Sequence, residues 1–245
     1  MFRKMLKNYH DTTQLFLTAG IIEGPFYIAV AIIQGFNRQG FNFTRHSISM
    51  LSLGDLGWIQ IINFVVCGFL LITFALGVWR QLHSRRGCTW CSLLLGTGGV
   101  GMIAAGVFPT DPGFGFPPGG PLGAIPMSPN GILHSLAFFV ITFSLVMACF
   151  IFTYWFSSLK NMRCAAYCMT TGVTAPILVF LAIDVTPASN AGVPMFGFEF
   201  IGSAWVMIIA WRLLHEKQIG MKTYNPITFR DSSKRVGNRQ PQHFR

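Results

Sequence analysis

The chain has 245 residues, and only 11% of them are charged while 52% are hydrophobic. A soluble globular domain carries about 25% charged residues, because charge covers the surface that faces water. The low charge content therefore excludes an ordinary soluble domain and indicates an integral membrane protein. The formal net charge of +10 fits either a nucleic-acid-binding surface or Lys and Arg held in cytoplasmic loops. The positions of these residues decide between the two.

Six apolar stretches in the chain are long enough to cross a bilayer, whose core of about 30 Å needs about 20 residues of helix. The alternation typical of barrel strands is absent from the sequence, so helices are the way to satisfy the backbone in lipid. We predict an all-α fold, an integral membrane bundle of about six transmembrane helices. The predicted spans are Leu15–Gly35, Trp58–Val78, Trp90–Phe108, Gly131–Phe156, Ala166–Val185 and Phe196–Leu214.

The Lys and Arg residues lie almost entirely on one side of the predicted bundle. Sixteen of the 18 fall in the N-terminus, the second and fourth connections and the C-terminal region, whereas Arg38 and Arg45 fall on the other side. Because cytoplasmic loops are enriched in Lys and Arg, we predict that both termini are cytoplasmic. Residues 1–14 are predicted to form a cytoplasmic N-terminus, 15–214 the six-helix domain, and 215–245 a basic, disordered tail. Topology thus explains the charge excess, so the predicted partner is the lipid bilayer and not nucleic acid.

Small residues repeat at four-residue spacing in two of the predicted helices. Gly20 and Gly24 do so in the first helix, and Thr97, Gly101 and Ala105 in the third. Small residues let helix backbones approach closely where lipid supplies no hydrophobic drive between helices. We predict that both series lie at helix–helix contacts.

Several ionisable and polar residues remain once the cytoplasmic cations are set aside. One lies near the middle of the first span, and the others lie at the predicted extracytoplasmic end. Ionisable groups in or near a bilayer are costly and face the bundle interior or a water-filled cavity. We predict a polar pocket open to the outside, with helix capping and mutual hydrogen bonding as the alternative. The candidates are Glu23, His46, Ser47, Asp111, His134, Asp184 and Glu199.

Two long connections lie at the same predicted end. Residues 36–57 contain Thr44, which would cap a short helix that Gly54 ends. Residues 109–130 are rich in Pro and Gly, which forbids regular structure, yet Phe114 and Phe116 favour a buried place. We expect a lid over the end of the bundle, with a plain surface loop as the alternative. Arg38 and Arg45, the external cations, would either contact an anion such as phosphate or balance nearby acids.

Two sets of residues are candidates for a metal site, although no cofactor is predicted. Cys88 and Cys91 form a C-x-x-C motif, and Cys164 and Cys168 lie four apart on the same predicted side. Four thiolates bind zinc, but these cysteines also fit as small residues at helix starts. The second set is a weak one, in which His46, Asp111 and His134 would supply the three protein ligands of a catalytic zinc.

The same stretches carry a resemblance. Ser47–Gly54, read SISMLSLG, precede a Gly-rich helix that ends in Phe108-Pro109-Thr110-Asp111, and a Gly/Pro loop is followed by Gly131-Ile132-Leu133-His134. From about Leu15 to Leu214 the chain resembles the domain-of-unknown-function family 998, small multi-spanning proteins mostly from prokaryotes. The resemblance implies a six-helix fold, a prokaryotic cytoplasmic membrane and a shared role for Ser47, Ser49, Asp111 and His134, which adds Ser49 to the pocket candidates. It implies no activity.

Three functions fit these observations. The first is a small transporter, or a membrane protein that binds a solute or lipid, with the polar pocket at its extracytoplasmic end. The second is a membrane-embedded metal-dependent hydrolase whose zinc activates water. The third is an accessory or assembly subunit without a chemical site. We expect the first, and the substrate and oligomeric state do not follow from the sequence.

Overall fold

A computed structural model describes the backbone of residues 2–82, 88–123, 125–185 and 190–223, and the side chains of these ranges apart from 2–7, 88, 184–185 and 216–223. Six long helices account for most of this part of the chain. A 3-10 turn at Ile48–Ser52 lies in the first connection, and a π-helical turn at Leu181–Val185 continues the fifth helix. The long helices are α1 (Phe2–Asn37), α2 (Gly57–Leu82), α3 (Cys88–Val107), α4 (Pro129–Ser158), α5 (Met162–Phe180) and α6 (Gly192–Thr223).

All six helices are long and apolar enough to cross a membrane. This confirms the predicted all-α integral membrane bundle. Each predicted span lies within one helix, except that the third runs one residue past α3 to Phe108 and the fifth runs from α5 into the π-helical turn that follows it. The first and last helices extend beyond their predicted spans, because α1 begins at Phe2 and α6 continues to Thr223. Polar residues at the ends of these helices continue the hydrogen-bonded backbone past the apolar stretch that hydropathy detects.

The helices form a closed ring. Each helix packs against its neighbours in the chain, and α6 packs against α1. Glycines permit the closest approaches between helices. A Cβ added at Gly24 would lie 2.5 Å from the backbone oxygen of Ser203, and one added at Gly68 would lie 2.6 Å from the backbone oxygen of Gly99. The helix contacts predicted for Gly20, Gly24 and Gly101 are therefore confirmed. Thr97 is exposed, and its hydroxyl donates to the backbone oxygen of Leu93 in its own helix. The helix–helix contact predicted for Thr97 was therefore wrong.

The connections 38–56 and 109–123 pack together at one end of the ring, here called the lid end. Phe116 is completely buried and meets the ring of Phe41 edge-on, with 5.4 Å between centroids. The burial predicted for Phe116 and the irregular backbone around it are thus confirmed. The short helix begins at Ile48 and not after Thr44, because the Asn42 side chain accepts from the Thr44 amide and hydroxyl and turns the chain there.

Candidate functional site

A cavity lies inside the helix ring. It offers about 70 Å³ to the centres of water molecules, whereas one water needs roughly 10–15 Å³. Among the described residues, its walls come from the 3-10 turn and from every long helix except α5.

Two helices supply the most polar part of the wall. On α1, Glu23 and Tyr27 are one turn apart and are only 4% and 1% exposed. On α6, Glu199 and Ser203 are also one turn apart and line the same cavity. Residues four apart share one face of a helix, so each pair presents its polar groups to the cavity together. Ser49 adds a polar residue from the 3-10 turn.

The two carboxyl groups have no hydrogen-bond donor among the described residues. Glu23 and Glu199 interact electrostatically with each other, and both interact electrostatically with the hydroxyl of Tyr27. That hydroxyl is buried and also has no hydrogen-bond partner within the described part of the chain. Buried polar groups are almost always paired, since an unpaired one carries a desolvation cost of about 1–3 kcal/mol. This cluster therefore has hydrogen-bonding capacity that the fold does not use.

His134 lines the cavity from the first turns of α4. Its Nδ1 lies 2.8 Å from the Phe108 oxygen and 3.1 Å from the Ala105 oxygen. Both partners are acceptors, so Nδ1 must carry the proton and donate it. The remaining nitrogen, Nε2, is then the acceptor of the neutral ring. Its environment thus fixes one tautomer and leaves one lone pair for another group.

Apart from Ser144, the rest of the wall is apolar. Gly98 on α3 lies between Ser144 and Leu71, which are 3.5 and 3.6 Å from where its Cβ would be. Bulky aliphatic and aromatic side chains from α2, α3, α4 and α6 line this part of the cavity. The cavity is consequently polar in one part and apolar in another, as a molecule with a polar head and a hydrocarbon tail would require. The apolar lining comprises Phe64, Leu71, Leu94, Leu95, Met102, Ala105, Phe138, Ile141, Leu145, Phe198 and Val206.

Of the predicted pocket residues, the structure brings together Glu23, Ser49, His134 and Glu199. Asp111 lies instead against the start of α4, where its carboxylate accepts a 2.8 Å hydrogen bond from the Ser128 amide. The start of a helix favours a negative charge, so this contact stabilises α4. The backbone at Asp184 lies in the π-helical turn, but its side chain is outside the described residues.

His46 and Ser47 lie in the lid end and not in the cavity wall. The amide of Asn42 donates to His46 Nδ1 at 3.0 Å, and His46 Nε2 donates to the Phe114 oxygen at 3.1 Å. Both ring nitrogens are therefore occupied, and the imidazole ties the two connections together. Burial lowers the pKa of His46 below its ordinary value, and nearby Arg45 acts in the same direction. Ser47 precedes the 3-10 turn without capping it through its side chain.

The two lid cations are not arranged as an anion clamp. Arg38 donates to the backbone oxygens of Leu51 and Leu53, and its guanidinium lies 5.4 Å from the centre of the Phe116 ring. These contacts hold the first connection against the second. Arg45 is exposed. The structure thus gives Arg38 an architectural role and leaves anion contact by either residue a prediction.

The candidate metal ligands do not form a cluster in the described part of the chain, where no group of three or more His, Cys, Asp or Glu side chains is placed to hold a metal ion. His46 has no free nitrogen to offer. Cys91 lies on α3, which packs on α2 and α4, whereas Cys164 and Cys168 lie on α5, which packs on α4 and α6. Cys168 accepts from the indole nitrogen of Trp205 at 3.4 Å, and the side chain of Cys88 is outside the described residues.

Sequence reasoning missed Tyr27 and a polar seam between α1 and α2. The Gln34 amide donates to the Gln60 side-chain oxygen at 2.8 Å, and the Asn63 amide donates to the backbone oxygen of Tyr27 at 3.1 Å. Cys67 continues the seam one turn further along α2. A usable signal was present, because residues 60, 63 and 67 recur at helical spacing within an otherwise apolar span. Neutral amides carry no charge, so they stand out less in an apolar span than ionisable residues do.

Comparison with known proteins identifies one family. The family model described as "Protein of unknown function (DUF998)" matches residues 21–212, which include all the described residues of the cavity wall. No curated protein and no solved structure matches the chain. The residues themselves therefore have to carry any functional argument.

Proposed function

We propose that this chain, which belongs to the DUF998 family of proteins of unknown function, binds an amphipathic molecule inside its helix bundle, as a small transporter or a solute- or lipid-binding membrane protein. The observation that carries the proposal is the two-part cavity, with unpaired carboxyl and hydroxyl groups in one part and aliphatic side chains in the other. A binding role explains why polar groups without protein partners are kept inside a membrane protein.

Energetics favour an occupant over a purely structural role. Polar groups in a bilayer interior are satisfied within the protein wherever they only support the fold. The cavity cluster departs from that rule at the carboxyl groups of Glu23 and Glu199 and at the Tyr27 hydroxyl, whereas Gln34 and Gln60 share one hydrogen bond and keep one unpaired amide atom each. Functional sites are where proteins retain such unfavourable arrangements, because the ligand completes them.

The proposal includes an orientation. Sixteen of the 18 Lys and Arg residues belong to the N-terminus, the second and fourth connections and the C-terminal region. The positive-inside rule supports a cytoplasmic location for that end and an external location for the lid end. A reporter enzyme that is active only outside the cytoplasm, fused after residue 245, should stay inactive. The same reporter inserted after Gly40, an exposed residue of the lid end, should be active.

A cavity-filling variant tests the binding role. We would measure binding of radiolabelled twelve-carbon alkyl probes (dodecylamine, dodecanol and dodecanoate) to the protein in phosphatidylcholine nanodiscs. Gly98→Phe places a ring between Leu71 and Ser144 and should abolish saturable binding of any probe that the wild type takes. Gly96→Phe is the matched control, because Gly96 lies two residues away outside the cavity lining, with its nearest neighbour atom at 3.8 Å.

Two results would end the proposal. One is the absence of saturable binding of all three probes to the wild type. The other is equal binding to the wild type and to Gly98→Phe once both are shown to be folded, because the occupied site would then lie outside this cavity. Equal loss in Gly96→Phe would point to damage to α3 and not to occupation of the cavity.

A further inference from the structure

We infer that the polar end of the occupant is a cationic amine, so that the ligand class is an alkyl chain carrying an ammonium group. The inference rests on the proposed function, because it names the chemistry of a molecule bound in the same cavity. Its basis is the charge and hydrogen-bonding balance of the described wall residues.

The charge balance is one-sided. Glu23 and Glu199 face one cavity, and none of its described wall residues is a Lys or Arg. Of the two lid cations, Arg38 is engaged with the backbone of the first connection. Two carboxylates in a medium of low dielectric repel each other strongly and need a positive partner. The described protein supplies none at this site.

Hydrogen bonding gives a second and independent indication. Glu23 is more than nine-tenths buried and lines the cavity, and its carboxyl group receives no hydrogen bond from the described residues. The nearby Tyr27 hydroxyl is also unpartnered, and His134 keeps Nε2 as an acceptor. An ammonium group has three donors and no acceptor. It matches a wall that offers carboxylate oxygens, a hydroxyl oxygen and an imidazole lone pair.

Two simpler occupants fit less well. A bare metal ion would want several oxygen ligands and retained water, but most of the wall is hydrocarbon and no three-ligand group exists among the described residues. Protons on both carboxyls would relieve the repulsion, with the Tyr27 hydroxyl, the serines and His134 Nε2 as acceptors, but protons alone leave the apolar part of the cavity unfilled. An ammonium group on an alkyl chain satisfies the carboxylates and the aliphatic wall together.

The test compares head groups at constant chain length. In the nanodisc assay, dodecylamine should bind to the wild type at least ten times more tightly than dodecanol, and dodecanoate should be the weakest. Glu23→Gln and Glu199→Gln should each reduce dodecylamine affinity at least tenfold and leave dodecanol affinity unchanged. Asp11→Asn is the matched control, because Asp11 is an exposed carboxylate on α1 outside the cavity, and it should bind dodecylamine like the wild type.

The outcomes separate this inference from the proposed function. If dodecanol or dodecanoate binds in the cavity as tightly as dodecylamine, the amine inference is overturned and the binding role stands. If no probe binds, both fail. Glu23→Asp, which keeps the charge, should retain most of the dodecylamine affinity; a loss as large as in Glu23→Gln, in folded protein, would mean that shape and not charge selects the ligand.

Discussion

The α1–α2 seam and the central cavity share α1 but differ in how their polar side chains are paired. In the seam, the side chains of Gln34, Gln60 and Asn63 each have at least one hydrogen-bond partner, although Gln34 Oε1 and Gln60 Nε2 have none among the described residues. In the cavity, the carboxyl groups of Glu23 and Glu199 have no hydrogen-bond partner at all among the described residues. An unpaired polar group in a membrane interior is costly. The hydrogen bonds of the seam therefore stabilise the fold, whereas the unpaired groups of the cavity lower its stability and fit a role in binding. Substitutions in the two regions should therefore change stability in opposite directions.

The largest expected effect sharpens the comparison at a position beside Glu23. Gly24→Ala would place a methyl group 2.5 Å from the Ser203 backbone oxygen, so α1 and α6 must separate, at a cost of about 3 kcal/mol of unfolding free energy. Gly96→Ala is the control, since its nearest neighbour atom is at 3.8 Å and alanine should add up to about 1 kcal/mol by helix propensity. Both are measured by reversible unfolding in mixed micelles. Equal stability of the two variants would contradict the close packing of α1 on α6.

The next effect tests the seam itself. Asn63→Leu removes the amide that donates to the backbone oxygen of Tyr27 and to the side-chain oxygen of Gln60, and it should lower the unfolding free energy. We expect about 2 kcal/mol, because the former partners stay buried without it. Thr73→Val on the same helix is the control, because the Thr73 hydroxyl bonds only within its own turn; it should change stability by less than about 0.5 kcal/mol. A cost for Thr73→Val as large as for Asn63→Leu would show that the seam has no special role.

The cavity should respond in the opposite sense. Glu23→Met replaces an unpaired carboxyl with an apolar side chain of similar length, and it should raise the unfolding free energy of ligand-free protein by about 1 kcal/mol. Glu23→Met should also fail to bind dodecylamine. The measurement is unfolding of delipidated wild type and variant side by side. A loss of stability comparable to that of Asn63→Leu would mean that Glu23 supports the fold, and the contrast between the two regions would disappear.

The fold was predictable because its signal is long and redundant. An apolar helix of 19 or more residues leaves a hydropathy signal that no single residue can hide, so all six helices were found. The cavity was predictable only in part. Glu23, His134 and Glu199 stood out as ionisable groups in apolar spans, whereas Tyr27 reads as an ordinary aromatic residue until its hydroxyl is seen to lack a partner.

The remaining differences arise where the backbone supplies the partner. Asp111 and His46 look like site residues because they are polar and lie at one depth. Their side chains are engaged by the Ser128 amide, the Asn42 amide and the Phe114 oxygen. Which backbone groups come within reach depends on the path of the irregular connections. That path is set by long-range packing, such as Phe116 on Phe41, which side-chain patterns along the chain do not encode.

The smallest expected effect concerns the lid end, where both ring nitrogens of His46 are hydrogen-bonded. Burial lowers the pKa of folded His46 below about 6.5, its ordinary value. As the pH drops below 6.5, the unfolded chain therefore binds a proton before the folded chain does. The free energy of unfolding then decreases by at most about 1.4 kcal/mol for each unit that the pH drops. The measurement is the free energy of unfolding of wild type and His46→Gln between pH 6.5 and 5.5. We expect the wild type to lose more stability than the variant over this range, by less than about 1 kcal/mol. Identical pH profiles for wild type and His46→Gln would show that His46 does not couple the lid connections to protonation.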